Sequence, residues 1–107
     1  MGYTTRVEWE TLRSIDSATL TGAYQALGTP LNFSSYKLKL VNNSTSLVTI
    51  SKDGTSNIDV APANSFWLYD EDVTVNHEGI PAGTQIYVKG SAGTGLIYLV
   101  SQYLIVM

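Results

Sequence analysis

The chain has 107 residues, of which 44% are hydrophobic and only 14% charged, and its formal net charge is -3. This length predicts one domain with a single core over residues 1–107, and ordinary hydrophobicity with a low net charge excludes intrinsic disorder. Six basic residues spread along the chain form no dense positive surface, so direct binding to nucleic acid is not expected.

The sequence contains no cysteine, which excludes a disulfide framework and a thiolate metal site. The first residues lack the apolar segment of a signal peptide. The longest apolar stretch, residues 96–107, is shorter than the roughly 20 residues of a membrane helix. We therefore expect synthesis in a cytoplasm without a signal peptide, and no membrane partner.

Alternating apolar and polar residues predict short strands in the first quarter of the chain. Over residues 6–11, Val7 and Trp9 alternate with charged residues, which predicts a strand with Trp9 in the core. The alternation loses its phase at residues 12–15, which indicates a bulge. Small residues and threonines favour a further strand over residues 17–27.

The middle of the chain predicts a three-stranded meander over residues 36–60. Tyr36, Leu38 and Leu40 alternate with lysines, and a polar turn follows at residues 42–45. Asp53 and Gly54 then form the turn of a second hairpin.

Four large apolar or aromatic residues follow one another at 66–69, so both faces of this strand need covering. A short extended piece at 73–75 precedes a region rich in turn residues. The last two strands, 84–89 and 96–107, are predicted to form a hairpin around the glycine-rich residues 90–95. Together these patterns predict an all-β fold, an antiparallel β-sandwich or jelly roll of roughly seven to nine short strands.

Titratable residues form no recognisable catalytic arrangement. The single histidine, His77, lies in a turn sequence typical of a solvated loop residue. Asp70, Glu71 and Asp72 are a weak calcium candidate, and their spacing is more typical of a solvated acidic turn. We predict no enzymatic activity, no catalytic residue and no cofactor.

Apolar residues are in excess in two runs, 66–69 and 96–107. These runs could be central strands covered on both faces within the monomer. A two-layer sandwich of this size has only one interior, however, so their outward faces favour cover by a partner subunit. Aromatic residues dominate interface energetics, and the predicted interface residues are Phe66, Trp67, Tyr69, Tyr98, Tyr103 and Ile105.

Several segments resemble small β-sandwich structural proteins of tailed bacteriophages. In that family a strand ending in Asn-Asn leads to an Ile-Ser-x-Asp-Gly hairpin, and a late Tyr-Val-Lys-Gly strand precedes a glycine-rich turn and a closing strand. The corresponding segments here are residues 20–24, 38–43, 50–54, 86–90 and 93–98.

The resemblance implies a virion component that binds copies of itself and other virion proteins. A capsid decoration (cement) protein bound to the major capsid protein is favoured, because the chain is short and lacks a long helix. A neck or tail component, including a head–tail joining or fibre protein, is the alternative. A carbohydrate-binding module is a further hypothesis, in which Trp67, Tyr69 and Tyr87 would stack on sugar rings.

Overall fold

The computed structural model describes residues 5–35, 37–70 and 80–106, with side-chain positions for all of these except residues 5, 6, 69, 70 and 104–106. Nine strands and one short 3-10 helix lie in the described ranges. The strands are β1 (Thr5–Trp9), β2 (Arg13–Asp16), β3 (Gln25–Ala26), β4 (Lys37–Ser44), β5 (Val48–Ser51), β6 (Asp59–Ala61), β7 (Ser65–Asp70), β8 (Tyr87–Lys89) and β9 (Gly95–Val106).

The strands form two antiparallel sheets that pack together as a β-sandwich, which confirms the predicted fold class. The five-stranded sheet has the order β1-β9-β4-β7, and β2 also pairs with β9. The four-stranded sheet has the order β3-β8-β5-β6. No helix in the described ranges is long and apolar enough to cross a membrane.

The core lies between the two sheets and is built by alternate residues of the central strands. In β4, Leu38 and Leu40 are fully buried, whereas Lys39 between them is exposed. This alternation follows from the strand geometry, in which successive side chains point to opposite faces. The other fully buried large side chains are Leu27, Val48, Ile50, Ile86, Val88, Ile97 and Leu99.

The predicted bulge separates β1 from β2, and its presence is confirmed. Trp9 pairs with Gln102 and Arg13 pairs with Leu99, so the three residues 10–12 oppose only two residues of β9. One extra residue in one strand is the definition of a bulge. The core position predicted for Trp9 is wrong: its side chain is 60% exposed.

The predicted meander over residues 36–60 is wrong in its first half. β5 and β6 form the expected hairpin, but β4 pairs with β7 and β9 in the other sheet. Residues 45–47, between the end of β4 and the start of β5, therefore cross between the sheets. The buried amide of Asn42 stabilises this crossing, because it donates hydrogen bonds to the carbonyl oxygens of Ser46 (2.7 Å), Ala61 (2.9 Å) and Pro62 (3.1 Å).

The hairpin predicted for the last two strands is also wrong. β8 pairs with β3 and β5, whereas β9 pairs with β1, β2 and β4. The glycine-rich residues 90–95 cross between the sheets and pack on the first crossing. A Cβ at Gly93 would clash with the hydroxyl of Ser46, and one at Gly95 would clash with the carbonyl oxygen of Asn43. Glycine is required where two backbones approach so closely.

Residues 17–27 contain less strand than their composition indicates. A 3-10 helix occupies Ser17–Thr19, and only Gln25 and Ala26 are in a strand. The side chain of Asp16 caps this helix by accepting a hydrogen bond from the Ala18 N–H at 3.0 Å. The Ser17 hydroxyl is buried and donates to the carbonyl of Gly95 at 2.8 Å. These side-chain hydrogen bonds compete with strand formation.

Candidate functional site

The candidate site is the outer face of the five-stranded sheet, defined as the side turned away from the four-stranded sheet. β4 contributes Lys39, Val41 and Asn43 to this face, because they alternate with buried residues. β9 contributes residues 96, 98, 100 and 102 in the same way, and β7 contributes Phe66 and Leu68.

A row of three apolar side chains crosses the outer face. Val41 pairs with Phe66 of β7 on one side and with Tyr98 of β9 on the other. Directly opposed residues in neighbouring strands have Cβ atoms about 5 Å apart, so the three side chains are adjacent. Phe66 is 61% exposed, and Val41 and Tyr98 are half-buried.

The apolar surface continues on both sides of this row. Leu68 on β7 is 46% exposed, Leu96 at the start of β9 is 38% exposed, and Val100 is half-buried. Trp9 lies on the same face, because it pairs with the outward-facing Gln102. All strands of the sheet except β2 thus present a large apolar side chain on this side.

A shallow groove of about 490 Å³ lies along the row of apolar side chains. Val41, Phe66 and Tyr98 line it together with polar groups of Lys39 and Asn43. The groove can therefore accept an apolar side chain of a facing protein while its polar ends form hydrogen bonds.

Polar residues surround the apolar part of the outer face. Lys39 is exposed on the interior strand β4, where it lies between Leu68 and Val100, and Ser14 and Asp16 are exposed on β2 at the edge of the sheet. An exposed apolar row with polar residues beside it and at the sheet edge is typical of an interaction surface.

A buried ion pair fixes the edge of the sheet next to Trp9. The Glu10 carboxylate accepts hydrogen bonds from the Arg13 guanidinium at 2.8 Å and from the backbone N–H groups of Asn32 and Phe33 at 3.0 Å each. Burial raises the pKa of Glu10, but these hydrogen bonds and the positive charge of Arg13 outweigh burial and hold that pKa below its usual value.

The same ion pair holds a loop, residues 29–33, against the sheet edge. Arg13 also donates to the carbonyl oxygens of Thr29 at 2.7 Å and Pro30 at 2.9 Å. At the end of this loop, the ring of Phe33 stacks on Tyr103 with the ring centroids 3.9 Å apart and the ring planes at 9°. Tyr103 therefore contacts the loop, on the side of the sheet opposite Gln102.

The structure distributes the predicted interface residues over different environments. Phe66 and Tyr98 lie on the outer face. Trp67 points the other way, packs against the core, and donates its indole N–H to the carboxylate of Asp59. Tyr103 stacks on the loop as described above. The outer face thus brings together two of the six predicted residues.

The remaining predicted positions lie wholly or partly outside what the structure describes. The backbones of Tyr69 and Ile105 pair with Leu38 and Arg6, but their side chains are outside the described set. The calcium candidate is outside it as well, since the Asp70 side chain, Glu71 and Asp72 are not described; neither is His77. Among the described residues, no group of three or more histidine, aspartate or glutamate side chains could hold a metal ion.

The outer face also contains Trp9, Val41, Leu68 and Leu96, which were not among the predicted interface residues. Leu68 and Leu96 lie in the two apolar runs, where one residue of each neighbouring pair must face outward. The alternation of Trp9 with charged residues indicated burial and so gave the opposite signal.

The aromatic residues of the carbohydrate-binding hypothesis do not share a surface. Trp67 is in β7 of the five-stranded sheet and faces the core, whereas Tyr87 is in β8 of the four-stranded sheet. Tyr87 lies beside the Asp53-Gly54 turn, where its ring is 3.6 Å from the position of a Cβ on Gly54. The two rings cannot form one stacking platform for a sugar chain.

Comparisons of the chain with protein families, with curated proteins and with solved structures gave no match. The geometry of the outer face and the sequence resemblance are therefore the observations that bear on function.

Proposed function

We propose that this chain is a non-enzymatic structural protein of a virion, which associates with copies of itself and with neighbouring subunits through the outer face of its five-stranded sheet. The observation that carries the proposal is the apolar row of Phe66, Val41 and Tyr98 across three adjacent strands. A protein whose task is adhesion to a neighbour needs such a surface and needs no reactive group.

Burial of apolar area is the driving force in this proposal. Phe66 and Trp9 are more than half exposed, and aromatic side chains make the largest contributions to interface stability. The row of Phe66, Val41 and Tyr98 itself carries no charge, so its burial desolvates no charged group of its own. Lys39 beside this row and Asp16 at the sheet edge can align the partner through hydrogen bonds and ion pairs.

The resemblance to small β-sandwich proteins of tailed bacteriophages supports the virion setting. Within that setting we favour a capsid decoration protein on the major capsid protein, and a neck or tail position is the alternative. A flat sheet face suits a decoration protein, which binds the surface of an assembled shell.

Sedimentation velocity over a range of concentrations tests the contact in solution. Replacing Phe66 and Leu68 together by serine is expected to weaken association roughly 100-fold, because each side chain contributes on the order of 1–2 kcal/mol when buried. Leu47→Ser is the matched control, since Leu47 is 53% exposed but lies in the crossing between the sheets. Equal association of all three proteins would overturn the outer-face contact.

Electron cryo-microscopy of particles assembled with and without the chain tests the virion role. Additional density on the shell would support decoration, and density at the neck or tail would support the alternative. Absence of the chain from purified particles would overturn both.

A further inference from the structure

The first and last strands form an arm that extends beyond the rest of the five-stranded sheet. β4 pairs with β9 only as far as the pair Lys37–Gln102. Beyond that point, β9 continues to Val106 and pairs with β1, from the pair Glu8–Tyr103 to the pair Thr5–Val106, and no third described strand pairs with this part of β9. The described chain is correspondingly long, 53 × 23 × 22 Å.

In the described part of the molecule this arm is supported by the ring of Phe33, which stacks on Tyr103. A ladder of two strands is otherwise marginally stable in water, and a third strand would stabilise it further. β1 is the terminal strand of its sheet. Its outer edge therefore presents backbone N–H and C=O groups that no other described strand pairs, and such an edge is a template for pairing with another chain.

The neighbouring part of the same sheet edge differs from β1. Next to β2, the side chains of Glu10 and Arg13 bind the loop at residues 29–33. The bulge at residues 10–12 also breaks the regular spacing of backbone groups. A further strand can consequently pair with β1 but not continue along β2.

We propose that β1 pairs antiparallel with β1 of a second copy, centred on Val7, and this inference rests on the proposed self-association. In this register position 7 opposes position 7, and position 6 of each copy opposes position 8 of the other. Arginine and glutamate then occupy directly opposed positions of the ladder, where opposite charges are favourable. This pairing adds to the interaction that Glu8 makes within its own chain. A shift of the register by two residues would lose both pairs.

The symmetry of this pairing matches a closed dimer. Two identical strands that pair antiparallel are related by a twofold axis perpendicular to the sheet. The contact therefore uses the same patch on both copies, and the assembly closes as a dimer. This axis keeps both outer faces on the same side. The paired copies would therefore present one continuous apolar face, about twice as large, to a neighbouring subunit.

Charge reversal tests the register. Arg6→Glu places glutamates opposite each other in a homodimer, and Glu8→Arg places arginines opposite each other. Each variant is expected to dimerise about tenfold more weakly than the natural chain. An equimolar mixture should regain the natural affinity, because each pair is then of opposite charge. Natural affinity of each variant by itself, or a mixture no tighter than its components, would overturn the proposal.

Cross-linking tests the central pair directly, and the absence of natural cysteines makes it specific. Opposed residues in an antiparallel ladder have Cα atoms about 4.5–5.5 Å apart, within the range of a disulfide. Val7→Cys is expected to form a disulfide-linked dimer under mild oxidation, whereas the control Leu47→Cys should remain monomeric. Equal cross-linking of the two variants would overturn the pairing.

The outer-face and arm contacts can fail independently. Adding Phe66→Ser and Leu68→Ser to the Val7→Cys variant should leave the cross-link intact, because neither residue belongs to the proposed ladder. Loss of outer-face association with normal cross-linking supports both contacts. If the outer-face substitutions leave association unchanged and cross-linking persists, the proposed function fails and the strand pairing remains. If they weaken association but Val7→Cys does not cross-link, only the strand pairing fails.

Discussion

The guanidinium of Arg13 donates a hydrogen bond to the carboxylate of Glu10 at 2.8 Å, and both side chains are almost completely buried. Glu10→Gln removes the negative charge and leaves Arg13 buried without its counter-charge. We expect the free energy of unfolding to fall by about 3 kcal/mol, the usual order for breaking a buried ion pair. Urea unfolding measures this, with Lys52→Gln, a charge removal at an exposed side chain, as the control. A loss no larger than in that control would contradict the structural role of the ion pair.

Stability should decrease in acid, and Glu10 should contribute to the decrease. The folded pKa of Glu10 lies below its unfolded value of about 4.3. Its ionised form therefore stabilises the fold above that value, and the contribution is lost as the pH falls through the folded pKa. Urea midpoints from pH 7 to pH 3 should fall less steeply for Glu10→Gln than for the natural chain.

Asp53 should also contribute to the loss of stability in acid, so its effect is measured with a separate variant. Backbone N–H groups of Ser56 and Thr55 and the Ser51 hydroxyl bind its carboxylate and hold its pKa well below the usual range. Its stabilising effect is likewise lost at low pH. The double variant Glu10→Gln/Asp53→Asn should therefore show a flatter pH profile than either single variant. If the urea midpoint of the double variant falls with pH as steeply as that of the natural chain, other groups cause the acid sensitivity.

Asn42→Ala should strongly destabilise the first crossing between the sheets. The change leaves the carbonyl oxygens of Ser46 and Ala61 without their amide donor in a buried setting. Unsatisfied buried polar groups cost about 1–3 kcal/mol each, so we expect a loss of about 3 kcal/mol. The adjacent Asn43→Ala alters an exposed side chain and should change stability by less than about 0.5 kcal/mol. Equal effects in a denaturant titration would contradict this role.

Gly95→Ala should reveal how closely the two crossings pack. Gly95 has a φ of 109°, and an added Cβ would clash with the carbonyl oxygen of Asn43. Gly22 also has a positive φ, 90°, but nothing lies within 4 Å of an added Cβ. Gly22→Ala therefore measures the backbone strain alone, about 1 kcal/mol. By thermal unfolding, Gly95→Ala should lower the free energy of unfolding by about 2 kcal/mol more than Gly22→Ala does. Similar losses in the two variants would exclude the clash.

Local signals in the sequence were sufficient for the strands and the bulge, but not for their partners. The alternation in β4 and the Asp53-Gly54 turn are properties of neighbouring residues, and both were predicted correctly. Residues 42–45, at the end of β4 and the start of the crossing, have the composition of a hairpin turn. Their different path depends on the Asn42 amide reaching Ala61 and Pro62, which are distant in sequence. No local pattern contains that information.

The candidate site was predicted only in part, for a similar reason. The apolar excess predicted outward-facing residues in the runs 66–69 and 96–107, and Phe66 and Tyr98 do face outward. Trp9 was assigned to the wrong side, because it alternates with charged residues and the apolar side of such a strand is expected to be buried. Burial of Glu10 with Arg13 places the charged side of this segment inward, and a charged pair satisfied in the interior is not the arrangement that hydrophobicity alone predicts.

The position of β9 in the sheet determines the order in which the chain can fold during its synthesis. β1, β2 and β4 all leave the ribosome early, yet each of them pairs with a strand that is translated after residue 94. Of these three strands, β4 can pair with β7 beforehand, whereas β9 is the partner strand of β1 and β2 among the described strands. The five-stranded sheet can therefore be completed only after β9 has left the ribosome, and long-range pairing of this kind slows folding.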